Sequence, residues 1–337
     1  VRGARQLLPG APLLLTGILL AGCAARAPIL AEHLPEADGL RAAQALELAG
    51  VPFHPQAAYQ CGPAALATVL GWSGATVTAA ELVERVYLPA RQGSLQPELR
   101  ATARHFDRLA YEPEPRLRAL LGELAAGHPV LVLQNLGYGP WPRWHYAVVI
   151  GYDAVAETFI LRSGTTERLV VSTGRFLASW VRADAWSMVV LPAGTLPASA
   201  DLPRYLRAAA DLEATGSPTA ALQAWGAAVQ RWPESPATWF GLGNVHYRLD
   251  DMPAALAAFE QALRVAPTHI ASHYNLAQIH LQQGCLALAH HHLAAAERQL
   301  DLLPGLAPSL QRLRETLERR RDDAASAPSI CHPVPDA

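Results

Sequence analysis

Two side chains in this sequence have the type and the setting to make and break acyl bonds. Cys61 lies in VPFHPQAAYQCGPAALATVLGW (residues 51–72), just before an apolar run, Ala64 to Leu70, that reads as a buried helix. Pro63 suits the first turn of a helix, where its missing N–H costs nothing, so Cys61 is expected at a helix N-terminus. There the unpaired N–H groups and the helix dipole favour a thiolate. His145 follows about 84 residues later, at the start of HYAVVIGY, which reads as a strand entered from a turn rich in Gly, Pro and aromatics, Leu136 to Arg143. A thiol nucleophile with an imidazole base is the chemistry of covalent acyl transfer. Each residue alone equally suits a structural role; the pairing, in this order and at this kind of spacing, is what points to a site.

The elements that must position this pair are legible around it. Val51 to Phe53 reads as a short strand, and Pro129 to Gln134 as a buried strand before the turn. Helices are expected over Thr78 to Arg85, Gln96 to Phe106 and Arg116 to Ala126, the first entered through Thr76 and Thr78. Helices first and strands late is an α+β order. A Pro/Ala-rich stretch, 192–200, and then Asp201-Leu202-Pro203 mark a boundary.

QAAYQCGPAAL and WHYAVVIGYD together resemble the papain-like cysteine peptidases that cut bacteriocin leaders after a double glycine, and their stand-alone relatives. The resemblance runs from about Val51 to Leu191 and includes Arg175 to Trp180 and the strand Ser187 to Leu191. It implies that Cys61 is the nucleophile and His145 the general base. It also implies a Gln that helps hold the oxyanion. Gln56 stands five residues before Cys61 where transporter-linked members have six, and Gln60 is the other candidate. The family places an Asp-Pro pair about sixteen residues after the His to orient it. Here Ser163-Gly164 occupies that place, and Asp153 is the nearer carboxylate, so the orienting group is Asp153 or Ser163. The implied reaction is attack of the thiolate on a carbonyl, then hydrolysis of a thioester; an amine in place of water would make the same site an acyltransferase. No Gly-rich P-loop ending in Lys-Ser or Lys-Thr occurs, so the chain is not expected to be an ATP-driven exporter itself.

Residues 1–22 have the layout of a secretory signal: Arg2 and Arg5, an apolar run from Leu13 to Leu20, then small residues. Leu20-Ala21-Gly22-Cys23 resembles the lipobox of bacterial lipoproteins, which implies lipidation of Cys23. The absence of Asp at position 24 implies the periplasmic face of the outer membrane. Residues 23–50 are expected to be a tether with one short helix around Gly39 to Leu48.

Beyond residue 200 the sequence repeats every 34 residues. Ala221, Ala255 and Ala289 align, as do Trp225, Phe259 and Leu293, and Ala228, Ala262 and Ala296. Pro233 and Pro267 align, and Tyr205, Trp239 and His273 hold the first large position. This pattern resembles the tetratricopeptide repeat, which implies an all-α solenoid whose concave groove takes a protein partner. The expected organisation is therefore an α+β papain-like domain over 51–195, about three repeats over 201–300, a terminal helix over 301–321 and a disordered tail over 322–337. His290, His291 and His292, with His273 and His280 nearby, read as a solvated face, and Cys285 as a small buried residue with Cys331 as a conceivable disulfide partner. The formal net charge of −2 and the scattered Lys and Arg leave no nucleic-acid footprint. No cofactor or metal is expected; the expected partners are a peptide or protein substrate, a protein in the repeat groove and a membrane.

Overall fold

The structure is a computed structural model, and residues 45–56, 59–138 and 140–323 are described. The expected signal segment, Cys23, most of the expected tether and tail, and Cys331 lie outside the described residues. The N-terminal part is built on an antiparallel sheet of seven strands. These are β1 (Ala45–Glu47), β2 (Arg108–Tyr111), β3 (Val130–Asn135), β4 (Trp144–Asp153), β5 (Thr158–Ser163), β6 (Thr166–Ser172) and β7 (Ser187–Pro192), in the order β2-β7-β3-β4-β5-β6. β3 is buried along its whole length and β4 from Tyr146 to Tyr152, because both faces of the sheet are covered. One face packs Leu131, Leu133, Tyr146, Val148 and Ile150 against helix α1 (Cys61–Trp72). The other packs Val130, Val132, Ala147 and Val149 against Leu120 of α4 (Leu117–Ala125) and Phe176 and Trp180 of α5 (Thr173–Val181). Two more helices, α2 (Ala79–Val86) and α3 (Gln96–His105), flank α1. α2 starts on a capping box between Thr78 and Glu81, the entry point read from sequence.

Three local expectations are corrected. Residues 45–47, expected in a helix, form strand β1, which pairs Leu46 with Tyr152 beside the end of β4. Gly151 makes room for it, since a Cβ there would lie 2.3 Å from the Leu46 carbonyl oxygen. Val51 to Phe53 is not a strand; Val51 is buried against α1 instead, and its carbonyl accepts from Arg162. Of the histidines expected on a solvated face, only His291 is exposed. His273 and His280, two turns apart on one helix, are buried, and His273 Nδ1 lies 3.0 Å from His292 Nδ1 while Nε2 donates to the Pro267 carbonyl. Burial and the neighbouring imidazoles push His292 down to about 3, and burial also lowers His273 and His280, so these three pack as neutral rings. Among the described residues no group of three or more His, Cys, Asp or Glu is placed to hold a metal ion.

The C-terminal part is a stack of antiparallel helix pairs: α6 (Leu202–Thr215) with α7 (Pro218–Arg231), α8 (Pro236–Arg248) with α9 (Met252–Val265), and α10 (Ile270–Gln282) with α11 (Leu286–Arg298). A final helix, α12 (Ala307–Asp323), covers the last pair. The 34-residue period becomes geometry at α8. A Cβ on Gly241 would meet the Trp225 ring at 2.5 Å, and one on Gly243 would meet the Phe259 ring at 2.6 Å. The aligned large residues thus pack directly on helix backbone.

The two parts share one apolar core, in which Leu109 and Tyr111 of β2 meet Tyr205, Ala208 and Leu212 of α6. The connection between them is clamped by Glu123, which is fully buried. Its carboxylate accepts from His128 Nδ1 at 2.7 Å, from the Ser199 N–H at 2.8 Å, from the Ser199 hydroxyl, and from the Ala198 N–H at 3.2 Å. Burial alone would raise its pKa; the bonds from His128 and Ser199 outweigh that and hold it below the ordinary carboxylate value. A group with a depressed folded-state pKa contributes stability above its unfolded pKa and loses it as pH falls through the folded one. Glu123→Gln is therefore expected to cost about 2–4 kcal/mol at pH 7 in urea unfolding, and less as the pH is lowered below about 4. An equal loss at both pH values would contradict the clamp.

Candidate active site

Cys61 is the first residue of α1. The chain reaches it through Tyr59, held in the left-handed region at φ 64°, and Gln60, which is the N-cap without a side-chain cap bond. Nine consecutive residues behind Cys61, Gly62 to Leu70, are buried, so the helix start is fixed by packing on all sides. Gly62 is required by a contact that spacing does not reveal: a Cβ there would lie 2.3 Å from Ser94 Oγ. The segment before α3 thus rests on the helix start and forms one wall of the site.

The strand that packs against α1 brings its own end to the sulfur. The backbones of Tyr146, Gly62 and Cys61 lie close enough to Cys61 Sγ to favour its thiolate, and Tyr146 directly follows His145. Cys61, His145 and Gln56 line one cleft of about 730 Å³, whose walls also include Tyr59, Arg91, Ser94, Arg143, Trp144 and Asp184. His145 Nε2 lies 2.8 Å from Ser163 Oγ. When Nε2 carries the ring proton and donates it to that hydroxyl, Nδ1 is the basic nitrogen.

Ser163, the residue at the expected Asp-Pro place, is thus the group against the imidazole. Asp153, the other candidate, is not in the site. It sits at the far end of β4, where its Oδ1 accepts from the Val155 and Ala156 N–H groups and holds the β4–β5 turn. Gln56 borders the sulfur, and its N–H donates to the Gly164 carbonyl at 3.2 Å, so one turn, Ser163-Gly164, anchors both the imidazole and the Gln56 backbone. Gln60 lines neither the cleft nor the small cavity that Gln56, Cys61 and Ser163 share. Arg143, two residues before His145, also lines the cleft; an exposed Arg in a turn gives no sequence signal of this.

The charge state also differs from expectation. Burial pushes the Cys61 thiol up, and the three backbone groups only partly offset this. Burial pushes His145 down, with a smaller contribution from Arg143. The resting pair is therefore neutral thiol and neutral imidazole. The helix start favours the thiolate, but desolvation of the sulfur is the larger effect here.

Residues 48–185 match the model of the Peptidase_C39 like family, and residues 206–270 and 250–301 match that of the tetratricopeptide repeat. Among solved structures, a C39-like peptidase from Bacillus anthracis is similar at a TM-score of 0.37 and 18% identity, over 44% of this chain and 97% of that one. A double glycine motif protease from an AMS/PCAT transporter, solved with a leader peptide, is similar at a TM-score of 0.33 and 18% identity, over 44% of this chain and 96% of that one. In the repeat region, the tetratricopeptide repeat and J domain-containing co-chaperone of Cryptococcus neoformans var. grubii is 34% identical over 87 residues, 26% of this chain. The match spans only 17% of the co-chaperone's length.

The neutral resting pair has a kinetic signature. Alkylation of Cys61 by iodoacetamide, followed by peptide mass mapping, is expected to rise through one ionisation above the ordinary thiol range and to show no plateau at pH 5–6. A plateau in that acidic range would mean a pre-formed thiolate–imidazolium pair.

Proposed function

We propose that this chain, which joins a Peptidase_C39-like domain over residues 48–185 to tetratricopeptide repeats over 206–301, is a lipid-anchored cysteine peptidase of the bacterial cell envelope. Its substrate is a peptide or protein, and its repeat groove holds a protein partner. One observation carries the reading: Cys61 at a helix start and His145 at a strand start share a cleft, with His145 Nε2 tied to Ser163. Anchoring through Cys23, on the periplasmic face of the outer membrane, rests on the Leu20-Ala21-Gly22-Cys23 motif.

In the proposed reaction the substrate carbonyl settles over Cys61 and displaces water from the cleft. His145 Nδ1 takes the proton from Sγ as sulfur bonds to the carbonyl carbon. The carbonyl oxygen becomes an oxyanion, which the Gln56 side-chain amide and the Cys61 N–H stabilise. Collapse breaks the C–N bond, and the imidazolium returns its proton to the leaving amine. Water, deprotonated by His145, then attacks the thioester; the C–S bond breaks, the acid leaves, and the imidazolium returns its proton to Cys61 Sγ. Because Ser163 is neutral, it orients the ring without the charge stabilisation a carboxylate gives the imidazolium.

That same serine, together with the raised thiol, favours the second reading: a peptide-binding domain that does not cut, in an envelope scaffold. Cleavage of a peptide mixture, read by mass spectrometry, separates the two. Turnover is expected to vanish in Cys61→Ala and His145→Ala, and to fall about 10²–10³-fold in kcat for Gln56→Ala. Ser163→Ala should cost about tenfold, the worth of one neutral hydrogen bond. Since His145 is pushed below its ordinary value, the base form persists at lower pH, and the acid limb of kcat/KM is expected below 6.5. Ser163→Asp should move that limb upward. No Cys61-dependent product from any peptide would leave the scaffold reading.

A further inference from the structure

The β3–β4 connection carries an exposed aromatic surface, of which only Trp144 borders the cleft. Of the ten exposed large apolar side chains among the described residues, four lie on its two arms: Leu136, Tyr138, Trp141 and Trp144, exposed by 46, 80, 77 and 56%. The arms are not loose. Asn135 Oδ1 accepts from the Gly137 and Arg143 N–H groups, both at 3.0 Å, and Tyr138 and Trp141 exchange backbone bonds of 3.2 and 2.7 Å. Gly137 admits no side chain, since a Cβ would lie 2.1 Å from the Trp141 carbonyl oxygen. At the base, Arg182 holds the Asn135 carbonyl at 2.8 Å. Rings this exposed on a braced hairpin forgo burial without any gain in freedom, which is the mark of a surface prepared for a partner.

The chemistry of the finger selects the partner. Its three rings are Trp and Tyr, whose apolar body and polar tip settle at the boundary between water and lipid. No Asp or Glu occurs between Glu123 and Asp153, although the chain as a whole is slightly acidic. Arg143 stands exposed beside Trp144, and Arg91 is exposed along the same cleft, where Asp184 is the one acidic lining residue. Cationic and aromatic groups together match an anionic headgroup layer. The 22 residue-to-residue steps from Cys23 to Ala45 would span at most about 75 Å of chain, enough for the finger to reach the bilayer that would hold the lipid.

We propose that Tyr138, Trp141 and Trp144 dock the domain onto an anionic lipid bilayer. Pro142, Arg143 and Trp144 belong to the cleft wall, so docking turns the mouth of the cleft toward the membrane. Resting on the peptidase reading, this makes the substrate a peptide that lies on or emerges from the membrane surface.

The test uses the full chain with Cys23→Ser, which cannot be lipidated, and sedimentation with vesicles of phosphatidylglycerol and phosphatidylcholine or of phosphatidylcholine alone. Binding is expected to favour the anionic vesicles and to weaken about tenfold or more in the Tyr138→Ser/Trp141→Ser double variant, which lies outside the cleft lining. Thermal unfolding of that variant should match its parent, since both rings are exposed. Vesicle binding that is absent, or equal in parent and variant, overturns the proposal. So does a variant that binds vesicles normally but shows a raised KM on a soluble peptide, which would assign the rings to substrate. None of the vesicle measurements requires a working Cys61, so failure of the peptidase reading remains separately visible.

Discussion

The burial of α1 against one face of β4 is the constraint on which the site depends. Leu66, Val69 and Leu70 on the helix share a core with Tyr146, Val148 and Ile150 on the strand, and none of these six is more than a few per cent exposed. Each element ends where its apolar pattern ends, the helix at Cys61 and the buried part of the strand at Tyr146. Packing the two therefore carries the sulfur to the Tyr146 backbone and the imidazole to the same cleft. Nothing in the chemistry of Cys or His brings them together; the apolar surface does.

Much of this was legible because it is long and apolar or because it repeats. The helix after Cys61 and the strand after His145 are continuous apolar runs, the 34-residue register is a repeat, and all fold as read. What escaped is short or long-range. β1 has three residues and β2 four, too few for a period to form, and β6 is an edge strand with little buried on it. The match of Gly62 to Ser94 joins segments 32 residues apart and leaves no local trace. A carboxylate orients an imidazole best, but a strand places its two ends far apart, and Asp153 and His145 are at opposite ends of β4. Ser163, chemically the weaker candidate, is the one on the neighbouring strand beside the ring. The buried histidines of the repeats show the converse, as polar type suggested solvent while seven-residue spacing set them facing the next helix.

The repeats do not hang from the C39-like domain on a free linker. The shared core at β2 and α6, the Arg104–Asp211 ion pair at 3.0 Å and the Glu123 clamp hold the first helix pair against the sheet. A partner in the repeat groove would consequently be held at a fixed bearing to the cleft. If the repeats recruit and Cys61 reacts as proposed, the shared core would raise the local concentration of a bound partner near the cleft.

The central claim is that His145 is a neutral base, protonated at Nε2, poised on a neutral thiol. Nitrogen-15 NMR of the imidazole tests it without a substrate. The account predicts an Nε2–H tautomer at pH 7, a titration below the ordinary histidine value, and a change in the Nδ1 resonance when Cys61 is alkylated. An imidazolium at neutral pH, a proton on Nδ1, or a resonance indifferent to Cys61 would contradict it.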